Sequence, residues 1–321
     1  MDSKFDIIQT AKNSIKNQGN SILELSNFIN EDFKNAVELI NSSEGRVIVT
    51  GIGKSAIIGM KIVATLNSTG TPSVFMHASE AVHGDLGIVQ KNDVIVLISK
   101  SGNTAEIKNL FPFLKNNEVK LIAISSNENS FLVKNCDYFL NSFIKKEACP
   151  NNLAPTTSTT AQLVVGDALA ICLSELKGFK ENDFAKFHPG GSLGKKLHLK
   201  IKDLVAKNLK PQVDLNDEFN NVVNEISRKM LGATAVMNNE TAVGIITDGD
   251  LRRFFLKNID LKSIKASDLM TKFPIKINSE ILASDALKIM NSNKITQLIV
   301  EDEKKYIGIV HLHNILNEGI S

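Results

Sequence analysis

The chain has 321 residues, 43% of them hydrophobic and 22% charged, which favours a globular protein of more than one domain over a disordered or fibrous one. Its 37 basic and 35 acidic residues give a formal charge of only +2, so nucleic acid and anionic membranes are disfavoured as partners. Three cysteines without CxxC spacing argue against a disulfide framework and a zinc knuckle, and they fit a reducing cytoplasm.

The N-terminal segment, residues 1–30, is predicted to form an amphipathic helix, because it contains Asp and Glu and lacks the apolar run of a signal peptide. A long apolar helix is predicted from Ser21 to Asn41, and another from Thr159 to Leu176. Elsewhere the longest apolar runs, such as VIVLIS, are far shorter than the roughly 20 residues that span a bilayer. We therefore expect a soluble protein.

Five short β-branched runs alternate with segments of helical period between Arg46 and about Asn141. They are RVIVT, PSVFM, DVIVLIS, VKLIAIS and CDYFLN. This alternation is typical of a parallel sheet with helices on both faces. The region is therefore predicted to be an α/β domain.

The segment VIVTGIGKS puts a glycine-rich turn between a strand and a helix, where backbone N–H groups and the positive helix end can bind an anion. A P-loop is disfavoured, because the glycine it needs five positions before Gly53 is replaced by Ile48. A dinucleotide fingerprint on Gly51, Gly53 and Ala56 lacks an acid at the end of the next strand, VFMH. Glycines that only turn the chain would leave the following Lys-Ser pair unexplained.

A second loop, SKSGNT, follows the strand DVIVLIS and opens a helix. Hydroxyl groups at Ser99, Ser101 and Thr104, together with N–H groups at the helix start, are suited to hold one phosphate group. Thr104 acting only as a helix cap would need one hydroxyl rather than three. The loop therefore favours a monophosphate ligand.

Two copies of one pattern follow the glycine-rich segment FHPGGSLGKKL. DLV at 203–205 matches DLM at 268–270, and GIIT at 244–247 matches GIVH at 308–311. Each copy is predicted to contain an amphipathic helix, a strand pair and a closing helix. One copy alone has a thin core, so the two are expected to pack together.

The motifs TGIGKS, HASEAVHGDLG, ISKSGNTAEI, EACPNNLAPTTSTT and DFAKFHPGGSLG resemble those of the arabinose 5-phosphate isomerases of the sugar-isomerase (SIS) family. GIITDGDLRR resembles the first of two cystathionine-β-synthase-type (CBS) repeats in these enzymes. SKSGNT is shared by all SIS proteins, whereas HGDLG, NLAPTTSTT and HPGGSLG are more specific. The resemblance spans nearly the whole chain. It implies a SIS domain at 1–198 with a five-stranded parallel sheet of flavodoxin-like order, then CBS repeats at 199–258 and 259–321.

The same resemblance implies an aldose-ketose isomerase that interconverts D-arabinose 5-phosphate and D-ribulose 5-phosphate through an enediol or enediolate. The product pathway would be that of 3-deoxy-D-manno-octulosonate (Kdo), for lipopolysaccharide or capsule. A cytoplasmic homotetramer with its active site between subunits is implied as well. No cofactor is expected.

The catalytic positions implied by the resemblance are Lys54, His83, Glu106, Glu147 and His188. Either Glu147 or His83 would shuttle the proton between carbons, and Lys54 would stabilise the enediolate. Glu106 would orient Lys54, and His188 would assist hydroxyl proton transfer or ring opening. Taken singly, Lys54 and Glu106 could instead form a surface ion pair, and His83 could be a core histidine.

The remaining predicted site residues bind substrate or ions. Phosphate binding is assigned to Ser55, Ser99, Ser101 and Thr104, and further substrate contacts to the loops at Gly51, Gly53, Thr157 and Ser158. No essential metal is expected, although His77 and His83, near Glu80, could bind zinc adventitiously.

The CBS repeats suggest an adenosine or cytidine nucleotide effector, including a CMP-activated sugar. Thr247 and Asp250 fit the pattern of ribose-contacting residues, whereas the second repeat has His311 and Asn314 in those places. A purely structural role in oligomerisation is the alternative.

Two rival functions stay open: a SIS-type sensor without turnover, and an isomerase of a hexulose 6-phosphate. The first 45 residues are too short and too little basic for the helix-turn-helix domain of such a sensor.

Overall fold

The computed structural model describes residues 6–117, 119–256 and 263–321. The chain divides into two compact units, the first ending at Phe184 and the second running from Ala185 to Ser321. The domain limits inferred from the sequence stay predictions. The inferred boundary between repeats, at residues 258 and 259, lies outside the described residues, as do residues 1–5 of the predicted N-terminal helix.

A five-stranded parallel sheet forms the centre of the first unit. Its strands are β1 (Val47–Gly51), β2 (Ser73–His77), β3 (Val94–Ile98), β4 (Lys120–Ser125) and β5 (Tyr138–Asn141). They lie in the order β2-β1-β3-β4-β5, and every neighbouring pair is parallel. This is the flavodoxin-like order, and each strand lies within two residues of the run predicted for it.

Helices cover both faces of this sheet. They are α1 (Ile7–Glu24), α2 (Glu31–Ser42), α3 (Lys54–Ser68), α4 (Ala78–Ala81), α5 (Ala105–Asn116), α6 (Phe131–Asn135) and α7 (Thr157–Leu176), and α8 (Glu181–Phe187) follows them. Because successive side chains of a strand point to opposite faces, Val47 and Val49 belong to one hydrophobic cluster, and Ile48 belongs to another. Every residue of β1 and β3 is therefore buried.

The helix predicted from Ser21 to Asn41 is wrong as a single element. α1 ends at Glu24, a short 3₁₀ turn follows, and α2 begins at Glu31. The side chain of Asn30 accepts a hydrogen bond from the N–H of Phe33 at 3.3 Å. The acidic residues Glu31 and Asp32 follow in the first turn, where their negative charge interacts favourably with the positive end of the helix dipole. A helix start thus interrupts the apolar pattern.

The predicted helix near the end of the first unit is confirmed as α7. Among the described residues, α7 is the one helix long and apolar enough to cross a membrane by length and composition alone. Its buried residues recur every three or four positions, as in a helix that packs one face on a core. A Cβ atom at Gly166 would lie 2.3 Å from Cδ1 of Ile62, so glycine permits close packing of α7 on α3.

The second unit contains the predicted duplication. It begins with α9 (Ser192–His198) and α10 (Ile201–Val205). The first repeat comprises β6 (Gln212–Asp214), α11 (Phe219–Lys229), β7 (Ala233–Asn238), β8 (Thr241–Thr247) and α12 (Asp248–Phe255). After α13 (Ala266–Leu269) and β9 (Thr271–Lys272), the second comprises β10 (Lys276–Asn278), α14 (Ala283–Asn293), β11 (Gln297–Asp302), β12 (Lys305–His311) and α15 (Leu312–Leu316).

The unit has two sheets, one with strand order β6-β7-β8-β9, in which β9 adds to the strands of the first repeat, and one with order β10-β11-β12 from the second repeat. A shared hydrophobic cluster joins Ala235 and Met237 of the first repeat to Ile299 and Ile309 of the second. The repeats therefore bury apolar surface against each other, which confirms that the two copies pack as one unit.

Candidate active site

A cavity of about 290 Å³ lies at the carboxyl ends of β1 and β3. The chain leaves β1 toward β2 and returns through β3 on the other side, so this is the switch point where open α/β sheets bind ligands. Six residues predicted from the sequence line the cavity: Lys54, Ser55, Ser99, Ser101, Thr104 and Ser158. The two predicted loops and the start of α7 therefore meet at one place.

The first loop makes the predicted turn from strand to helix. Gly53 precedes α3 with φ of +56°, in the region that favours glycine. A Cβ at Gly51 would lie 3.1 Å from the backbone carbon of Ser55, so the turn is tight there. Lys54 begins α3 and is exposed, and Ser55 Oγ donates a hydrogen bond to Oε1 of Gln162 at 3.1 Å.

The second loop is organised by its hydroxyl groups. Ser99 Oγ lies 2.8 Å from Thr104 Oγ1 and accepts a hydrogen bond from the N–H of Gly102 at 3.0 Å. Ser101 Oγ accepts from the N–H of Asn103 at 3.2 Å. Thr104 stands at the N-cap of α5, but its side chain makes no capping hydrogen bond. The alternative in which Thr104 serves only as a cap is therefore wrong, and the helix start can bind an anion.

Glu147 is the most strongly held charged group at this site, and its side chain is 0% exposed. Oε1 lies 2.6 Å from Nζ of Lys100 and also accepts from Ser158 Oγ. Oε2 accepts from the backbone N–H groups of Thr156 at 2.9 Å and Ser158 at 3.1 Å, and from Thr156 Oγ1 at 3.2 Å. Burial alone would raise the pKa of Glu147, but the hydrogen bonds from Lys100, Ser158 and Thr156 outweigh it and lower the pKa to about 2.

Lys100 and Gln162 are among the cavity-lining residues that were not predicted from the sequence. Lys100 lines the cavity next to the predicted serines, and Gln162 lines it from α7. Gln162 is fully buried, and its Nε2 has no hydrogen-bond partner among the described residues. A buried N–H group of this kind can bind a ligand hydroxyl. Gln162 follows Ser158 by four residues on one helix, and that spacing was the available signal.

Other predicted residues take supporting or separate positions. Thr157 is buried in the first turn of α7 and its Oγ1 accepts from the N–H of Ala148 at 3.0 Å, so it supports the segment that carries Glu147. Glu106 is half-buried in the first turn of α5. Within the described ranges, Lys54 and Glu106 form no ion pair with each other, so the surface-pair alternative is wrong.

His83 and His77, the predicted histidines of the first unit, do not line this cavity. His83 is exposed in the turn after α4, so the alternative of a core histidine is wrong. His188 is half-buried and belongs to the second unit. His77 Nδ1 accepts a hydrogen bond from the N–H of Ser79 at 3.3 Å. Across residues 6–117, 119–256 and 263–321, no three His, Cys, Asp or Glu side chains form a group that could hold a metal ion.

A cavity of about 300 Å³ in the second unit is lined by Thr247, Asp250 and Arg253. Asp250 Oδ2 accepts from the N–H of Thr247 at 2.9 Å and from its Oγ1 at 2.7 Å, and Oδ1 accepts from Arg253. In the second repeat the corresponding Asn314 pairs with Asn208 at 3.1 Å. The two repeats thus differ where a nucleotide was predicted to bind.

Comparisons with known proteins agree with this architecture. The SIS domain family matches residues 39–172, and the CBS domain family matches residues 266–320. Arabinose 5-phosphate isomerase KdsD of Yersinia pestis is 45% identical over 317 residues, which cover 98% of this chain and 97% of that protein. The protein of the same name from Pseudomonas aeruginosa is 44% identical over 324 residues, covering 100% and 99%.

Among solved structures, E. coli CFT073 c3406 in complex with arabinose 5-phosphate is 44% identical, with a TM-score of 0.56, and the match covers 57% of this chain and 98% of that one. The similarity to the two curated relatives runs from one end of the chain to the other, through the SIS sheet and the CBS repeats alike. With identity of 44–45% at that coverage, this chain belongs to the arabinose 5-phosphate isomerase family.

Proposed function

We propose that this chain interconverts D-arabinose 5-phosphate and D-ribulose 5-phosphate in the cavity at the switch point. The observation that carries the proposal is a buried carboxylate, Glu147, held next to a cavity lined by hydroxyl groups. Ser99, Ser101 and Thr104, with Ser55, are suited to the phosphate, and the sugar would extend toward Glu147. The related E. coli structure, which holds arabinose 5-phosphate, supports the same substrate.

The chemistry needs a base, a proton return and a stabilised oxygen. In the open-chain aldose a base takes the proton from C2, the C1 carbonyl oxygen becomes the enediolate oxygen, and the proton returns to C1. Glu147 and His83 are the two candidates for the base, and Glu147 is favoured by its position, because it contacts the cavity-lining residues Lys100 and Ser158 whereas His83 does not line the cavity. Lys54 would stabilise the enediolate. Glu106, which forms no ion pair with Lys54 in the described structure, would orient the Lys54 ammonium only once substrate is bound. An enediolate route itself calls for neither a metal nor an organic cofactor.

Turnover with three substrates tests the activity. Purified protein treated with chelator is incubated separately with arabinose 5-phosphate, ribose 5-phosphate and glucose 6-phosphate, and ketose formation is followed. We expect ketose from arabinose 5-phosphate alone. Ketose from glucose 6-phosphate would indicate a hexulose 6-phosphate isomerase instead, and binding of sugar phosphate without turnover would indicate a sensor.

We further propose that the enzyme acts as a cytoplasmic homotetramer whose product enters Kdo synthesis for lipopolysaccharide or capsule. The exposed position of His83, away from the cavity of its own chain, supports an active site completed by neighbouring copies, to which His188 would also contribute. Large apolar side chains at Ile7, Ile8 and Ile15 are exposed on α1, which buries none of its residues. Such side chains favour association between copies.

A nucleotide effector is proposed for the cavity beside Thr247 and Asp250. A carboxylate that accepts from Thr247 and Arg253 can also accept from ribose hydroxyls. Calorimetry with AMP, ATP and a CMP-activated sugar should detect binding of at least one of them. Asp250→Ala should abolish that heat, and Asn314→Ala should leave it unchanged. No heat from any of the three would favour a purely structural role of the repeats.

A further inference from the structure

Lys100 lies between Glu147 and the cavity. Its Nζ is 2.6 Å from Glu147 Oε1, and the residue lines the cavity beside Ser99 and Ser101. The Lys100 side chain is 43% exposed, whereas that of Glu147 is 0% exposed. The lysine is therefore the solvent-facing member of the pair, and the carboxylate is the fixed one.

Glu147 has no oxygen lone pair left for a proton from carbon. The ammonium of Lys100, both polar groups of Ser158 and both polar groups of Thr156 donate to its two oxygens. Two of these five donors share Oε1 and three share Oε2, against about two lone-pair sites on each oxygen, so the departure of Lys100 would leave Oε1 with Ser158 Oγ alone. Against the opposing effect of burial, they hold the pKa of Glu147 at about 2, which makes it a weak base at neutral pH. To act as a general base, Glu147 has to lose a donor.

Lys100 is the donor that can leave. The N–H groups of Thr156 and Ser158 are fixed at the start of α7, and Ser158 is itself buried. Lys100 carries its ammonium on a flexible four-carbon stem. At equal distance a phosphate dianion in the adjacent cavity attracts that ammonium more strongly than a monoanionic carboxylate, whose charge four neutral donors already stabilise.

We propose that the phosphate of the substrate draws the Lys100 ammonium away from Glu147, so that phosphate binding releases Glu147 to act as the general base. The inference rests on the proposed function, in which a sugar phosphate fills the cavity. The freed carboxylate takes the C2 proton, the C2–H electron pair forms the C1–C2 double bond, and the carbonyl pair moves to O1. The hydroxyl proton on O2 then passes to O1, the electron pair left on O2 forms the C2 carbonyl, and the pair of the C1–C2 double bond takes the proton back from Glu147 to form the new C1–H bond. Lys100 is a positioning residue, because it controls Glu147 and exchanges no proton.

A pentose without phosphate leaves Lys100 paired with Glu147, so the wild type should act slowly on free D-arabinose. Lys100→Met keeps the apolar stem and removes the ammonium, which leaves Glu147 released at all times. We expect this variant to convert free D-arabinose at least about tenfold faster than the wild type. Inorganic phosphite, which can occupy the phosphate site when the sugar lacks a phosphate, should raise the rate at which the wild type converts D-arabinose. It should leave the rate of the variant unchanged. With arabinose 5-phosphate, the variant should have KM raised about tenfold and kcat within about threefold.

Lys120→Met is the matched control. Lys120 pairs with Asp137 at 3.0 Å and begins β4, at the opposite end of the sheet from the cavity. This control should behave as the wild type with both sugars and with phosphite. If Lys100 only held Glu147 in place, the Lys100→Met variant would convert D-arabinose no faster than the wild type. That result would overturn the proposal.

Crystals of the wild-type full chain, grown with and without inorganic phosphate, give a test that needs no variant. With phosphate bound beside Ser99 and Thr104, we expect Lys100 Nζ more than about 4 Å from Glu147 Oε1 and within about 3 Å of a phosphate oxygen. Phosphate in the cavity with the ion pair still closed would refute the switch alone. Phosphate found only outside the cavity would refute the proposed function as well, so the two failures are distinct.

Discussion

Glu147→Gln should lower kcat for arabinose 5-phosphate about 1,000-fold, because a neutral amide cannot accept the proton from C2. KM should change little, since the phosphate is bound by the two loops rather than by Glu147. The amide keeps the shape of the side chain, and it can still accept hydrogen bonds from Ser158 and Lys100. Steady-state kinetics of ketose formation, with unfolding curves to confirm that the variant is folded, measure the effect.

The control is Glu24→Gln, in which the same chemical change removes a surface pair to Lys145 at 2.8 Å. This variant should retain wild-type kcat and KM. If Glu147→Gln kept kcat within about tenfold of the wild type, the proton transfer would have to be reassigned. His83→Ala would then be the decisive variant, because His83 is the other candidate for the base.

Gly102→Ala should destabilise the first unit by about 3 kcal/mol and raise KM for arabinose 5-phosphate about tenfold. Gly102 has φ of +63°, and a Cβ there would lie 2.1 Å from Ser130 Oγ and 2.4 Å from Ser130 Cβ. Ser130 is buried and caps α6 by accepting a hydrogen bond from the N–H of Val133, so moving it would break this capping hydrogen bond. Denaturant unfolding and steady-state kinetics measure the two effects.

Two further variants separate backbone strain from steric overlap. Gly53 has φ of +56°, but a Cβ there would meet nothing within 4 Å. With ψ of −128° Gly53 lies outside the left-handed helical region, in a conformation that side chains avoid, so Gly53→Ala should cost only this strain, about 1 to 3 kcal/mol. Adding Ser130→Gly to Gly102→Ala should recover part of the lost stability. If Ser130→Gly recovered none of the stability lost in Gly102→Ala, steric overlap would not be the reason for glycine in this loop.

The sheet could be predicted from the sequence because its strands are buried on both faces. Runs such as VIVLIS are apolar at every position, and the helices between them force parallel pairing. The repeats were predicted from matching motifs instead, and the structure gives a reason for one match: Asp203 and Asp268 each accept a hydrogen bond from the backbone N–H of the lysine three residues earlier, at 3.1 Å and 3.0 Å. The break before α2 was missed, because Asn30 interrupts an apolar pattern that otherwise continues past it.

Only those parts of the site that lie within one short motif could be predicted from the sequence. Ser99 and Thr104 lie five residues apart in one loop, so their proximity follows from the sequence. Lys100 and Glu147 are separated by 47 residues, and Ser55 and Gln162 by 107. Contacts of that kind depend on the order of strands and the packing of helices, which no local pattern specifies. The roles of the individual site residues stay predictions.

The close packing of α3 and α7 sets the width of the cavity. Gly166 places only a hydrogen atom against Ile62, and one turn nearer the cavity the hydrogen bond between Ser55 and Gln162 joins the same two helices. A larger residue at 166 would push the helices apart and open the cavity far from any residue that touches a ligand. The size of the sugar that fits should therefore depend on the packing of the hydrophobic interior as well as on the two loops that line the cavity.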